Sequence, residues 1–362
     1  KRGMATGLAI MGFGGGAMLA SPLSVALMHT FASAHSVGVA ETFVVLGVLY
    51  FALMLFGVFT IRIPADGWKP KGYIAPSGKA QTSGTQNVSA AAAVKTPQFW
   101  LLFCTLCLNI TAGIGVLGQA SVMIQELFSE TSVGADAAVS AAAAAGFVGL
   151  LSLFNMGGRF FWSSISDKLG RKNVYTVFFV LGAILYCLIP SLGESGSKAL
   201  FIIGFCVIIS MYGGGFAAIP AYLRDLFGTY QVGAIHGRIL LAWSLAAVLG
   251  PVLVNYIRQG QIDAGVPAAQ AYSITMYIMA GLLILGLICN LLVRPVNEKH
   301  HADGSFNIPH QVPEESAFEE AAQAAEEIAH SGTGVKLRWL TVGIPLAYGV
   351  IMVAAKVLDL FH

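Results

Sequence analysis

Long uncharged apolar runs alternate with short polar segments along this chain. A helix needs about 20 residues to cross the hydrocarbon core of a bilayer. Nine runs approach or exceed that length: 4–28, 42–61, 97–124, 137–158 (continuing to about 165), 173–193, 199–223, 239–257, 264–293 and 339–355. The pattern therefore predicts an all-α, multi-pass membrane protein with about nine transmembrane helices.

The composition agrees with this prediction. Of the 362 residues, 56% are hydrophobic and only 10% are charged, whereas soluble domains carry about 25% charged residues. The charged residues that give the net charge of +2 lie between the apolar runs, so this charge does not indicate nucleic-acid binding. All five cysteines fall inside the runs, which favours packed thiols over a disulfide framework. The runs contain no nucleophile–base set, metal-ligand set or cofactor loop, so we expect no enzyme, metal or cofactor.

Lysine and arginine are distributed unequally between the two sides of the predicted membrane. When successive polar segments are assigned to alternate sides, sixteen of these residues share the side of the N-terminus and three lie opposite. Positive charge accumulates in cytoplasmic loops. We therefore expect a cytoplasmic N-terminus in the cell inner membrane, with the C-terminus outside.

Two long polar segments divide the chain into predicted domains. Residues 62–96 are rich in Gly, Ser, Pro and Lys, which predicts a flexible cytoplasmic linker. Residues 296–336 predict a second cytoplasmic segment, with an acidic helix that is either solvated or docks a partner. The six runs within 97–295 then form one bundle, and 337–362 an extra transmembrane helix.

The two runs within residues 1–61 resemble the last two runs of that bundle in length and in the placement of a proline, Pro22 or Pro251. Repeated halves are common in transporters. We therefore expect residues 1–61 to be the last two helices of an N-terminal half. The other four helices of that half would lie upstream in the same protein and would pack with this chain as its missing partners.

An arginine interrupts the fourth run. Placing Arg159 in hydrocarbon costs about 2.5–3.5 kcal/mol on insertion scales, so an intramembrane cation marks a functional site by default. The alternative is an arginine whose head reaches the lipid headgroups. Sequence alone leaves both interpretations open.

A charged loop follows this run and is the predicted gate, formed by Asp167, Gly170, Arg171 and Lys172. Asp167 can contact the positive N-terminus of a neighbouring helix, which we expect to be the helix beginning near Gly233. Simple charge anchoring at the cytoplasmic surface is the alternative. The loop resembles the signature loop of the major facilitator superfamily. That pattern has a glycine where this chain has Ser163, which predicts looser helix packing here.

Three further stretches, 95–100, 155–162 and 225–229, resemble those of the oxalate/formate antiporter family within that superfamily. The resemblance extends from residue 1 to about 295. It implies a major-facilitator-type helix bundle that moves a small carboxylate by alternating access.

The resemblance also implies the site residues. Arg159 matches an arginine that holds the substrate carboxylate, a role suited to the planar, permanently charged guanidinium. Tyr212 and Phe216 match aromatic cavity positions, and Trp243 stands where the oxalate carriers of the family have a lysine. With that cation lost, we expect a monocarboxylate in preference to oxalate. Ordinary helix packing is the alternative for the three aromatic residues.

Two glycine clusters and the acidic residues complete the expectations. Gly12 and Gly16 have the spacing of closely packed membrane helices. Residues 213–215 predict close packing too, with helix bending during gating as the alternative. Acidic residues lie only near the ends of the runs, which favours exchange over proton symport. Two other functions stay open: a carrier of neutral solutes such as sugars, and a non-transporting membrane sensor or scaffold.

Overall fold

The regular structure is helical in the part of the chain that the computed structural model describes, which is residues 2–34, 36–61, 87–134, 138–301 and a few positions from 347 to 355. Its helices are α1 (Arg2–Gly14), α2 (Gly16–Phe31), α3 (Val39–Thr60), α4 (Ala90–Ala93), α5 (Pro97–Leu127), α6 (Glu130–Val133), α7 (Ala141–Leu169), α8 (Arg171–Glu194), α9 (Lys198–Phe227), α10 (Val232–Ile239), α11 (Leu241–Asp263) and α12 (Ser273–Leu292). A 3-10 turn, Glu298–His300, follows.

Eight helical stretches of the described residues are long and apolar enough to cross a membrane. They correspond in order to the first eight predicted runs, so the prediction of an all-α membrane bundle is confirmed. The first span, Thr6–Phe31, consists of most of α1 and all of α2, and the seventh, Val232–Asp263, consists of α10 and α11. The predicted ninth helix and acidic helix lie mostly or wholly outside the described residues.

Local sequence sets the helix ends. Thr96 caps α5 by accepting a hydrogen bond from the Phe99 amide at 3.3 Å, and Pro97 occupies the first turn, where its missing N–H costs nothing. Gly170 separates α7 from α8 with φ +86°, a conformation that glycine adopts without strain. The predicted charged loop is therefore a one-residue break between two helices.

Two sequence-based boundaries were wrong. Helix α12 begins at Ser273 instead of 264, because Gly265 takes φ +84° and Pro267 follows it, so residues 264–272 form turns. The last ten residues of the predicted flexible linker, 87–96, are ordered. Val88 is fully buried there, and its amide donates to the Phe227 carbonyl oxygen at 2.9 Å.

The described residues fall into two compact units. The first contains residues 2–18 and 87–301, and the second contains residues 19–61. Within the first unit, α7 packs along α9 and α1, α5 packs along α11 and α12, and α8 packs along α12 and α9. In the second unit, Gly38 precedes α3 with φ +72°, and α3 exposes most of its apolar side chains. The unit boundary lies inside the predicted domain 1–61, so the domain limits stay a prediction.

Candidate functional site

Arg159 lies inside the first unit, on the stretch of α7 that packs against α1 and α9. Its side chain is 1% exposed. Its Nε donates to Asn155 Oδ1 at 3.2 Å, one turn earlier in the helix. Its Nη2 is buried and has no hydrogen-bond partner among the described residues. Such burial excludes the interpretation of an arginine that reaches towards the headgroups, which would leave the guanidinium exposed.

Aromatic rings surround this guanidinium. Its central carbon lies 5.1 Å from the ring centroids of both Phe13 and Phe216, within the range of cation–π attraction. Trp243 makes edge contacts with Phe13 at 5.7 Å and with Phe216 at 5.3 Å, and Tyr212 contacts Phe216 at 5.4 Å. We call these four rings around Arg159 the aromatic enclosure. All four residues that the sequence singled out as a binding site are thus brought together.

Phe13 is the member that sequence reasoning missed. It is 64% exposed, whereas Phe216 is 8% exposed, so the enclosure borders the surface of the unit along α1. The proposed repeat does not identify it: Phe13 precedes Pro22 by nine residues and Trp243 precedes Pro251 by eight, so aligning the two prolines leaves the aromatic residues one position apart.

Glycines bring α1 and α9 against α7 at this level. A Cβ on Gly14 would lie 2.9 Å from Arg159 Nε and from the Met156 amide nitrogen, and one on Gly213 would lie 2.6 Å from Asn155 Oδ1. The packing role predicted for residues 213–215 is confirmed. No described residue lies within 4 Å of a Cβ on Gly12 or Gly16, so their predicted packing role stays a prediction.

A serine holds the break between α1 and α2. Ser152 Oγ donates to the Gly14 carbonyl oxygen at 2.8 Å and accepts from the Met18 amide at 3.1 Å, and both bonds are buried. These two backbone groups lie on either side of the turn at Gly15, where the helical ladder is interrupted. Ser152 therefore fixes the end of α1 that carries Phe13 beside Arg159.

Ser163 does not loosen the packing of α7, contrary to the expectation from the family pattern. It is fully buried, and Gly7 of α1 lies directly against it. A Cβ on Gly7 would overlap Ser163 Oγ and would lie 2.7 Å from the Arg159 carbonyl oxygen. The small residue needed for close approach is thus supplied by α1 instead of α7.

The predicted gate residues lie at the end of α7 and the start of α8. Asp167 accepts hydrogen bonds from the Gly3 amide at 3.0 Å and the Met4 amide at 3.3 Å. A helix N-terminus does attract this carboxylate, as predicted. The predicted partner, the helix beginning near Gly233, was wrong, because the N-terminus that Asp167 contacts is that of α1.

Arg171 and Lys172 connect this end to two other helices. Arg171 bonds to Asp167 at 2.6 Å and lies 3.6 Å from a carboxylate oxygen of Asp225 on α9. Lys172 Nζ donates to the carbonyl oxygens of Leu291 and Val293, each at 2.8 Å, at the end of α12. A cation at a helix C-terminus satisfies carbonyl groups that lack helical partners.

The opposite end of the unit carries an ion pair that the sequence did not indicate. Arg258 Nε donates to Glu126 Oε2 at 3.0 Å, and the Tyr272 hydroxyl donates to the same carboxylate at 2.7 Å. These contacts join the ends of α5 and α11 to the segment before α12. Among the described residues, no group of three or more His, Cys, Asp or Glu is placed to hold a metal ion.

The fold and site define a multi-pass membrane protein with a buried cation among aromatic rings inside its helix bundle. A sequence profile of the Major Facilitator Superfamily matches residues 1–251 and 150–355, and the chain belongs to that superfamily.

Three relatives bear on its function. The chain is 29% identical over 250 residues to the oxalate:formate antiporter of Oxalobacter formigenes, covering 69% of this chain and 54% of that protein. It is 24% identical over 358 residues to apicoplast pyruvate carrier 1 of Toxoplasma gondii, covering 83% and 61%. Monocarboxylate transporter 14 of Mus musculus is 25% identical over 149 residues, covering 40% and 26%. The chain therefore spans little more than half the length of the first two relatives.

Proposed function

We propose that this chain is part of a secondary transporter that moves a small monocarboxylate by alternating access, through exchange. The substrate carboxylate binds Arg159 inside the aromatic enclosure. The protein lies in the cell inner membrane with its N-terminus in the cytoplasm. The three relatives support a carboxylate, since oxalate, formate, pyruvate or monocarboxylate stands in each of their names.

One observation carries the proposal, namely the buried Nη2 of Arg159 without a hydrogen-bond partner among the described residues. A buried charge that lacks a partner is strongly unfavourable. A carboxylate supplies both the opposite charge and the acceptor, and its bond to a guanidinium is about twice as strong as a neutral hydrogen bond. The rings of Phe13 and Phe216 favour an apolar remainder on the substrate.

Exchange follows from the same electrostatics. With the carboxylate bound, the site is close to neutral and can pass through a closed, dry state. Without it, closing the site would bury the charge of Arg159, which costs several kcal/mol per unpaired ion. Reorientation is therefore fastest when the site is loaded, so inward and outward transport are coupled.

Asp167 serves as the gate contact in this mechanism. It joins the start of α1 to the end of α7, and Arg171 extends the contact to Asp225 on α9. Opening on this side requires α1 to leave α7, which breaks the two hydrogen bonds that the Gly3 and Met4 amides donate to Asp167. The gate contact therefore holds one of the two alternating states.

The test is counterflow in proteoliposomes that contain the full-length protein, with formate, lactate, oxalate and a sugar as substrates. Breaking a buried charge pair costs about 3–5 kcal/mol, so Arg159→Gln should lower carboxylate exchange by two orders of magnitude or more. Arg294→Gln removes the same charge at an exposed position and should exchange like the wild type.

Other outcomes identify the competing functions. Sugar exchange that persists in Arg159→Gln would assign the protein to carriers of neutral solutes. Absence of all fluxes, together with a stable protein partner in pull-down, would favour a sensor or scaffold. Oxalate exchange faster than formate or lactate exchange would contradict the preference for a monocarboxylate.

A further inference from the structure

Trp243 is a second orphaned hydrogen-bond donor at the aromatic enclosure. Its indole Nε1 is buried and has no hydrogen-bond partner among the described residues, as is the case for Arg159 Nη2. Native proteins satisfy nearly all such groups, because a buried N–H without a partner is costly. Two orphaned donors around one pair of rings indicate a common acceptor.

The other tryptophans in the described part of the chain lack this feature. Trp100 Nε1 donates to the Val94 carbonyl oxygen at 2.9 Å, and Trp162 Nε1 donates to Ser210 Oγ at 3.2 Å. At these two tryptophans, the protein itself supplies an acceptor for the indole N–H. Trp243 differs from them because its Nε1 is buried and has no hydrogen-bond partner among the described residues.

Geometry connects the two donors. The guanidinium carbon of Arg159 lies 5.1 Å from the centroids of Phe13 and Phe216. The Trp243 ring lies 5.7 Å and 5.3 Å from the same two centroids. The guanidinium and the indole are therefore neighbours of the same two phenyl rings.

We propose that the Trp243 indole N–H donates to one oxygen of the substrate carboxylate while Arg159 Nη2 donates to the other. This inference rests on the proposed function. A carboxylate has two oxygens and can accept several donors at once. The indole adds a hydrogen bond without adding charge, so one negative charge on the substrate meets one cation. Trp243 is thus the residue that determines specificity for monoanions.

The variant Trp243→Phe tests this role, because it keeps an aromatic ring and removes only the N–H and the second ring. A hydrogen bond to a charged group has a net value that corresponds to a roughly 10- to 150-fold change in affinity. We expect the KM for formate and lactate counterflow to rise at least tenfold. Trp162→Phe, which loses a bond within the protein, is the matched control and should change KM less than threefold.

A rescue variant and a spectroscopic measurement separate donation from packing. Trp243→His keeps a ring N–H and should recover part of the affinity lost in Trp243→Phe. In wild-type protein labelled with ¹⁵N at the indole nitrogens, formate should shift the Trp243 N–H resonance downfield and leave that of Trp162 unchanged. The second measurement holds even if Trp243→Phe does not fold.

The outcomes distinguish this inference from the proposed function. A wild-type KM in Trp243→Phe, or no formate-dependent shift of the Trp243 resonance, overturns the role of the indole. If Arg159→Gln loses exchange in the same experiments, the carboxylate site still stands. Unaltered exchange in Arg159→Gln overturns the carboxylate site itself.

Discussion

Replacing Gly7 by alanine should separate α1 from α7, because Gly7 faces the backbone of α7 at close range. A Cβ at this position would lie 2.7 Å from the Arg159 carbonyl oxygen and would overlap Ser163 Oγ. The carbonyl belongs to the helix backbone and cannot rotate away, so one helix must shift. Gly12 lies on the same helix with open space at its Cβ position in the described structure, which makes Gly12→Ala the matched control.

The magnitude follows from packing and helix propensity. Overpacking a close contact costs about 1–3 kcal/mol, whereas replacing an unpacked helical glycine by alanine gains about 0.8–1 kcal/mol. The free energies of unfolding of the two variants should therefore differ by about 2–4 kcal/mol. The assay is a denaturation titration of the purified full-length protein in mixed micelles.

Two results would refute this reasoning. Equal stability of the two variants would show that Gly7 is not a close contact. A larger loss in Gly12→Ala would support the spacing of Gly12 and Gly16 that the sequence suggested. Adding Ser163→Ala to Gly7→Ala removes Oγ only, so it should recover part of the loss, because the Arg159 carbonyl still opposes the new methyl group.

Two further predictions concern the ends of the unit. Asp167→Asn keeps an acceptor but removes the charge at the start of α1, which should cost about 1–2 kcal/mol and speed amide hydrogen exchange there about tenfold or more; unchanged exchange would contradict the gate contact. At the opposite end, Glu126→Ala and Arg258→Ala should each lower the free energy of unfolding by up to about 1 kcal/mol. Their double variant should lose less than the sum of the two, and strict additivity would show that the pair contributes nothing.

The spans and the central cation could be predicted from sequence because both depend on the bilayer. An uncharged apolar run of membrane-spanning length indicates a transmembrane helix by itself, and a cation inside one is expensive wherever the neighbouring helices lie. Arg159 was therefore identifiable before any helix packing was known. Its aromatic neighbours Tyr212, Phe216 and Trp243 were found through resemblance to a family.

What the sequence could not provide depends on which helices meet. Phe13 looks like any apolar residue of a span until α1 is placed against α7. The charge of Asp167 favours contact with a helix N-terminus. The proposed repeat has two such N-termini, near Gly3 and near Gly233. Only the packing of α7 on α1 shows that Asp167 contacts the one at Gly3. The start of α12 was missed because the hydrophobicity of a run does not reveal the turn at Gly265.

The most direct test of the carboxylate site is equilibrium binding, measured by titration calorimetry on the full-length protein with lactate and with lactamide, its neutral isostere. If Arg159 supplies the charge that holds the substrate, the wild type should bind lactate and show at least tenfold weaker binding of lactamide. Arg159→Gln should bind both equally poorly. Equal affinity of the wild type for the two ligands, or undiminished lactate binding in Arg159→Gln, would contradict the site.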